Sequence, residues 1–180
     1  MPQTNRGKEG SDDRLFGSPV MIKKMQQAIF DLSFLLDRGY ASKSSKELIG
    51  NRYKLNQRQI KAVAGMSASK KSVALRKEKQ LTPEQLKDQT VFLDGFNVLI
   101  VLESILSQAY IFRGMEGAYR DLSSVHSSYK KVSQTETALL SVQNDILFIS
   151  FKEDADVDLA SVEELLAARK IIQRGEKMLI

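Results

Sequence analysis

The sequence predicts an α/β protein in which a basic all-helical N-terminal region precedes a partial parallel sheet covered by helices. In the first 80 residues, apolar side chains recur at three- and four-residue steps, as in amphipathic helices. Further on, the short apolar runs 90–93 and 147–151 are typical of strands buried on both faces, and a helical pattern separates them. Helical crossovers of this length between strands indicate parallel pairing.

The charge distribution places the basic character in the first half of the chain. Residues 1–90 carry 18 Lys and Arg against 9 Asp and Glu, a net charge of +9. Residues 91–180 carry 9 against 13, a net charge of −4. We therefore predict a domain boundary near residue 80, with a basic helical region over 18–80 and an α/β domain over 81–180.

The composition excludes several kinds of site. The chain has no Cys and one His, which removes disulfides, thiolate zinc sites and multi-histidine metal sites. The longest purely apolar run, 98–102, is far shorter than the roughly 20 residues of a membrane helix. The first twenty residues also lack the apolar core of a secretory signal. We expect a cytoplasmic protein without a membrane partner.

The N-terminal region divides at its capping and glycine signals. Residues 1–17 lack periodicity and are predicted to be a disordered leader. Ser18-Pro19 predicts a helix start and Gly39 its end. Two shorter helices are predicted next, and a mobile basic linker follows over 67–80. The first short helix begins at Ser44 or Ser45 and stops at Gly50, and the second follows the cap Asn56.

The two short helices together resemble a helix-turn-helix, with Arg58 and Lys61 facing outward. The surrounding segment 38–79 holds 12 basic residues and two acidic ones, which favours binding of RNA or another polyanion. The alternative is that these cations lie on helix faces that are simply exposed to water and bind no partner. The candidate nucleic-acid contacts are Arg52, Lys54, Arg58, Lys61, Lys70 and Lys71.

The second region shows further helix starts and a candidate site. Thr82 and Gln85 have the spacing of a capping box, and so do Ser133 and Glu136. A short strand is predicted over 110–113. Asn97 is predicted to cap the apolar helix that follows it.

Asp94 directly follows the first apolar run, at the carboxyl end of the predicted strand. Open α/β sheets bind their ligands at the carboxyl ends of their strands. Such a carboxylate could hold a hard divalent cation. Gly95 would allow close approach of a substrate, and Asn97 would lie at a helix N-terminus that attracts phosphate. The alternative is that Asp94 only begins a tight turn.

Several segments resemble known families. The run 91–99, in which an apolar strand ends in Asp-Gly-Phe-Asn, resembles the opening strand of PIN/NYN-type nucleases. Segments spread over about residues 25–145 are similar to the family catalogued as domain of unknown function 434, which pairs a basic helical region with a PIN-like half. The matching segments are 31–40, 50–55, 58–59, 91–99 and 119–126.

The resemblance implies a metal-dependent nuclease site. Asp94 and Asp121 would be catalytic carboxylates, and Asp94, Asp156 and Asp158 would hold Mg²⁺ or Mn²⁺. Asn97 and Arg120 would contact the substrate phosphate. The chain departs from the family pattern after about residue 145, so the PIN-like sheet is expected to be incomplete.

Two functions follow from these patterns. The first is a divalent-metal-dependent RNA phosphodiesterase. The second is a non-catalytic nucleic-acid-binding protein whose nuclease-like domain is vestigial.

Overall fold

The computed structural model describes residues 5–82, 85, 94–123 and 129–143, and this part is mostly helical. It has the following helices and strands: α1 Asp12–Phe16, α2 Pro19–Asp37, α3 Ser42–Arg52, α4 Gln57–Met66, α5 Lys70–Glu78, α6 Gly95–Leu106, β1 Phe112–Arg113, β2 Tyr119–Arg120 and α7 Thr135–Gln143. Strands β1 and β2 pair antiparallel, with Phe112 opposite Arg120. No helix in the described ranges has the length and apolar character needed to cross a membrane.

The predicted parallel sheet is not what the described residues form. Their sheet is the two-stranded antiparallel pair, and of the short strand expected over 110–113 only Phe112–Arg113 forms β1. The apolar runs 90–93 and 147–151 lie outside the described residues.

Two predicted helix starts are confirmed, and the hydrogen bonds of a third predicted capping box are present. The Ser18 hydroxyl accepts a hydrogen bond from the Met21 N–H at 3.2 Å, with proline at the first helical position. Asn56 and Gln59 form a full capping box at the start of α4. Thr82 and Gln85 also exchange hydrogen bonds, although the helix they were predicted to begin lies outside the described residues. These starts depend on contacts within three residues, which explains why the sequence predicts them.

Helix α3 differs from its prediction at both ends. It begins earlier, at Ser42, and runs through Gly50, where we expected it to stop. A Cβ at Gly50 would lie 2.6 Å from Ile60 Cδ1. The close approach of Ile60 from α4 therefore favours glycine at this position, which is not a helix end.

Residues 67–80, predicted to be a mobile linker, instead contain helix α5. Ser69 caps it by accepting a hydrogen bond from the Ser72 N–H at 3.2 Å. The helix buries no residue fully, which explains why apolar periodicity did not reveal it. A residue distant in the chain holds α5 in place, because Arg76 Nη1 donates a hydrogen bond to Glu116 Oε1 at 2.6 Å.

Residues 5–17, predicted to lie in a disordered leader, instead pack against the rest of the protein. Phe16 in α1 is fully buried, with ring centroids 5.4 Å from Tyr110 and 5.1 Å from Phe112. Arg6 and Asp12 are buried as well. Their partners are distant in the chain, so no local periodicity indicated this packing.

One apolar core extends across the predicted boundary near residue 80. Helices α2, α3 and α4 supply most of it, and Phe112 and Leu122 from the second region complete it. The backbone also joins the two regions, because the Met115 N–H donates to the Met66 carbonyl at 3.0 Å. The described parts of the two regions therefore share a core.

Candidate functional site

A cleft of about 380 Å³ opens between α4, α6 and the β hairpin. Side chains from all three elements line it, including four that the sequence predicted as site residues. These four are Lys61, Asn97, Arg120 and Asp121. Tertiary structure therefore brings together residues that lie up to 60 positions apart in the chain.

Lys61 enters the cleft from α4. Its Nζ donates to the Leu122 carbonyl at 3.0 Å, which ties α4 to the chain after β2. Partial burial lowers the pKa of Lys61 from its ordinary value, while the Asp121 carboxylate acts in the opposite direction. A partly desolvated cation interacts more strongly with an anion than a fully hydrated one does.

Arg120 lies at the end of β2 and is held by a buried carboxylate. Its Nη2 donates to Glu116 Oε1, which also accepts a hydrogen bond from Arg76. The Glu116 side chain is only 3% exposed, and a Cβ at Gly114 would lie 2.6 Å from its Oε2. Two guanidinium groups therefore share one carboxylate, which leaves a surplus positive charge beside the cleft.

Asp94, and not Asn97 as predicted, caps helix α6. Its Oδ1 accepts a hydrogen bond from the Asn97 N–H at 3.2 Å, and its Oδ2 accepts one from Asn97 Nδ2 at 2.6 Å. Both residue types are good caps, so the sequence alone did not distinguish between these positions. Through these bonds Asp94 fixes the side chain of Asn97, which lines the cleft.

Asp121 is the carboxylate that lines the cleft. It accepts hydrogen bonds from the Ser123 N–H, at 2.5 Å, and from the Ser123 hydroxyl. These bonds close a short turn after β2 and fix the carboxylate in place.

The described residues do not build a complete metal centre. They contain no group of three Asp, Glu, His or Cys residues able to hold a metal ion. Asp94 and Asp121 already accept hydrogen bonds from neighbouring residues. Asp156 and Asp158, the other predicted ligands of Mg²⁺ or Mn²⁺, lie outside the described residues.

Arg58 differs most from its predicted role as an outward nucleic-acid contact. Its Nε donates to Asp12 Oδ1 at 2.6 Å, and its Nη1 donates to Glu9 Oε1 at 2.7 Å. Its Nη2 also donates to the Gly7 carbonyl. Arg58 therefore anchors the N-terminal segment to α4. The other predicted contacts are exposed: Arg52, Lys54, Lys70 and Lys71.

Sequence reasoning missed a buried polar network around Glu103. This residue lies on α6 with no exposed surface, and Arg6 Nε donates to its Oε2 at 2.7 Å. Its Oε1 accepts hydrogen bonds from the hydroxyls of Tyr129, at 2.5 Å, and Thr135. Burial, and then the bond to Glu103, raise the pKa of Tyr129. The sequence signal for this network was Glu103 itself, the one acidic residue of the mostly apolar helix α6.

Comparisons with known proteins divide the chain into two matched ranges. Residues 24–79 match the family described as Protein of unknown function (DUF434). Residues 83–167 match a second family, described as Domain of unknown function (DUF5616). The resemblance to the first family is thus confirmed, but over a shorter range than the sequence suggested. Neither description mentions a PIN or NYN nuclease, so that relationship stays a prediction.

The chain is also similar to an uncharacterized protein of Methanocaldococcus jannaschii. The two are 26% identical over 150 residues, which cover 83% of this chain and 72% of that protein. No solved structure matches the chain significantly. The segment containing Arg6 and α1 precedes both family ranges, and in the structure it contacts both.

Proposed function

We propose that this protein binds RNA or another nucleic acid, and that the cleft binds a backbone phosphate. The observation that carries the proposal is the convergence of Lys61, Asn97 and Arg120, from three separate elements, on one cleft. Two of these side chains are cations and the third carries amide donors. That combination matches the oxygens of a phosphodiester.

The geometry around Arg120 supports this proposal. Its guanidinium is planar and carries several donors, of which Glu116 uses one at Nη2. The Arg120 side chain is 30% exposed, although its Nε is buried and makes no hydrogen bond within the described part of the chain. The remaining donors at the exposed end of the guanidinium can bind a phosphate, while the buried carboxylate limits the side-chain entropy lost on binding.

Exposed cations outside the cleft add further positive charge that could contact phosphates. Lys70 and Lys71 lie in the first turn of α5, Arg52 is the last residue of α3, and Lys54 follows it by two residues. Contacts from such residues strengthen binding without reading bases, because phosphates carry no sequence information. We therefore expect affinity for nucleic acid without strong sequence preference.

Fluorescence anisotropy of a labelled single-stranded RNA tests the proposal. Arg120→Gln is expected to weaken binding about tenfold, in line with the loss of one charge-assisted hydrogen bond. Arg113→Gln is the matched control, because it removes the same charge from an exposed position on β1, away from the cleft lining. Equal affinities for the two variants would contradict a role for the cleft, and absence of binding by the unmodified protein would refute the function.

A second candidate function is the divalent-metal-dependent phosphodiesterase. It is favoured by the position of Asp121 in the same cleft as Arg120 and by the contact of Asp94 with the cleft residue Asn97. When bound, Mg²⁺ or Mn²⁺ would orient and activate a water and stabilise charge on the phosphate. In the chain itself, Arg120 and Lys61 would bind the phosphate, and Asp94 with Asp121 would supply carboxylate oxygens.

Cleavage assays separate the two candidates. For the enzyme, Asp94→Asn should abolish Mn²⁺-dependent cleavage of single-stranded RNA while RNA affinity changes little. Glu136→Gln, which alters an exposed carboxylate on α7, should leave cleavage unchanged. If the unmodified protein binds RNA but cleaves none with either ion, the non-catalytic function is retained and the enzyme is rejected.

A further inference from the structure

Helix α2 exposes two aromatic rings on its outer face. The helix buries Met25, Ala28 and Leu32 against the core. Phe30 and Phe34, on the other side, are 69% and 48% exposed. They lie four residues apart, so they are neighbours on one helical face. Single exposed apolar residues are ordinary, but neighbouring exposed aromatic rings indicate an interaction surface.

A cation continues the same face. Arg38 follows Phe34 by four positions, and its Cζ lies 4.3 Å from the centroid of the Phe34 ring. Arg38 is itself exposed, so its guanidinium remains accessible to an anion. We call the surface formed by Phe30, Phe34 and Arg38 the α2 outer face.

The acidic residues of this half of α2 already accept hydrogen bonds from neighbouring helices or loops. Asp31 accepts a hydrogen bond from the Tyr53 hydroxyl at 2.8 Å and forms an ion pair with Arg52 at 3.4 Å. Asp37 accepts a hydrogen bond from the Lys70 N–H. These contacts place the exposed cations Arg52 and Lys70 beside this half of the helix. Together with Arg38 they give three cations against the two carboxylates of Asp31 and Asp37, and this excess of positive charge suits a polyanion.

We infer that the α2 outer face binds single-stranded nucleic acid, with bases stacking on Phe30 and Phe34 and a phosphate at Arg38. This inference rests on the proposed nucleic-acid binding and adds a strand preference to it. Rings on a convex helix can reach the faces of unpaired bases, whereas a duplex keeps its base faces stacked inside. Stacking on aromatic side chains also tolerates any base.

The chain contains no Trp, so a single introduced Trp reports on this face alone. Phe30→Trp should be quenched by oligouridylate but not by an abasic oligomer of equal length or by a duplex. Leu140→Trp, at another exposed apolar position, on α7, is the control reporter and should not be quenched. Both substitutions are at exposed sites, and thermal melting verifies that each variant folds.

Affinity measurements supply the second readout. The double substitution Phe30→Ala with Phe34→Ala should weaken binding of single-stranded RNA about tenfold or more, because stacking on each ring is lost. The dependence of affinity on salt should stay the same, because no cation is removed. Leu140→Ala should bind as the unmodified protein does.

The outcomes distinguish this inference from the proposed function. RNA binding without quenching of Phe30→Trp, or with equal affinity for the double variant, overturns the inference and leaves the function intact. Absence of any RNA binding refutes the function itself. An emission shift with protein concentration, together with dimers in sedimentation, would assign the face to a second copy of the chain. Emission that acrylamide cannot quench in the free monomer would mean that the chain covers the ring. Either of these last two results overturns the inference.

Discussion

The buried pair between Arg6 and Glu103 should dominate the stability of the contact between the N-terminal segment and α6. The two side chains are 2% and 0% exposed, and the bond between Arg6 Nε and Glu103 Oε2 is 2.7 Å long. Glu103→Gln keeps the shape of the side chain but removes its charge. The guanidinium would then remain buried without a counter-ion, which costs about 3–5 kcal/mol.

Urea unfolding followed by circular dichroism measures this cost. The midpoint should fall while the slope against urea stays constant, because the surface exposed on unfolding is unchanged. Glu136→Gln is the control, because its carboxylate pairs with Lys131 on the surface and should contribute little. In the Arg6→Met background the effect of Glu103→Gln should shrink, because the two groups are coupled. A loss below about 0.5 kcal/mol for Glu103→Gln alone would refute the buried pair.

Three further changes test other parts of the structure. Gly50→Ala should destabilise the protein, because the new Cβ would lie 2.6 Å from Ile60 Cδ1. In urea unfolding, Ile60→Val should restore part of that lost stability. Equal losses with and without Ile60→Val would contradict this contact. Because the pKa of Tyr129 is raised in the folded state, its contribution to stability is fully present below about pH 10 and is lost as pH rises further. Tyr129→Phe should remove that loss, so urea midpoints that fall equally in both proteins at alkaline pH would be the contrary result. Asp94→Ala should lower the free energy of unfolding by about 1 kcal/mol, because the helix cap is lost, and Asp94→Asn should lower it much less. Identical thermal midpoints for these two variants would exclude the cap.

The parts of the fold that the sequence predicted are those set by neighbouring residues. The caps at Ser18 and Asn56 act within three residues, so the residue types alone indicate them. Gly50 has the sequence pattern of a helix stop, but it lies inside α3, where the contact with Ile60 of another helix explains the small residue. Helix α5 has no buried residue to create periodicity, and its support from Glu116 comes from outside the segment.

The candidate site shows the same division. Lys61 and Arg120 were predicted for different reasons, a basic helix and a family resemblance, and the structure places both in one cleft. Arg58 belonged to the same basic pattern, but its partner Asp12 lies 46 residues earlier and turns it inward. The pair of Arg6 with Glu103 spans 97 residues, a separation at which residue patterns carry no information about pairing.

The salt dependence of RNA binding tests most directly whether the cleft binds phosphate. The logarithm of the association constant should fall linearly with the logarithm of salt concentration, by roughly 0.7 for each phosphate neutralised on a single strand. Arg120→Gln should reduce the magnitude of that slope by roughly 0.7, the contribution of one phosphate contact. Arg113→Gln should leave the slope at the value of the unmodified protein. Absence of binding at low salt, or the same slope for both variants, would contradict the account.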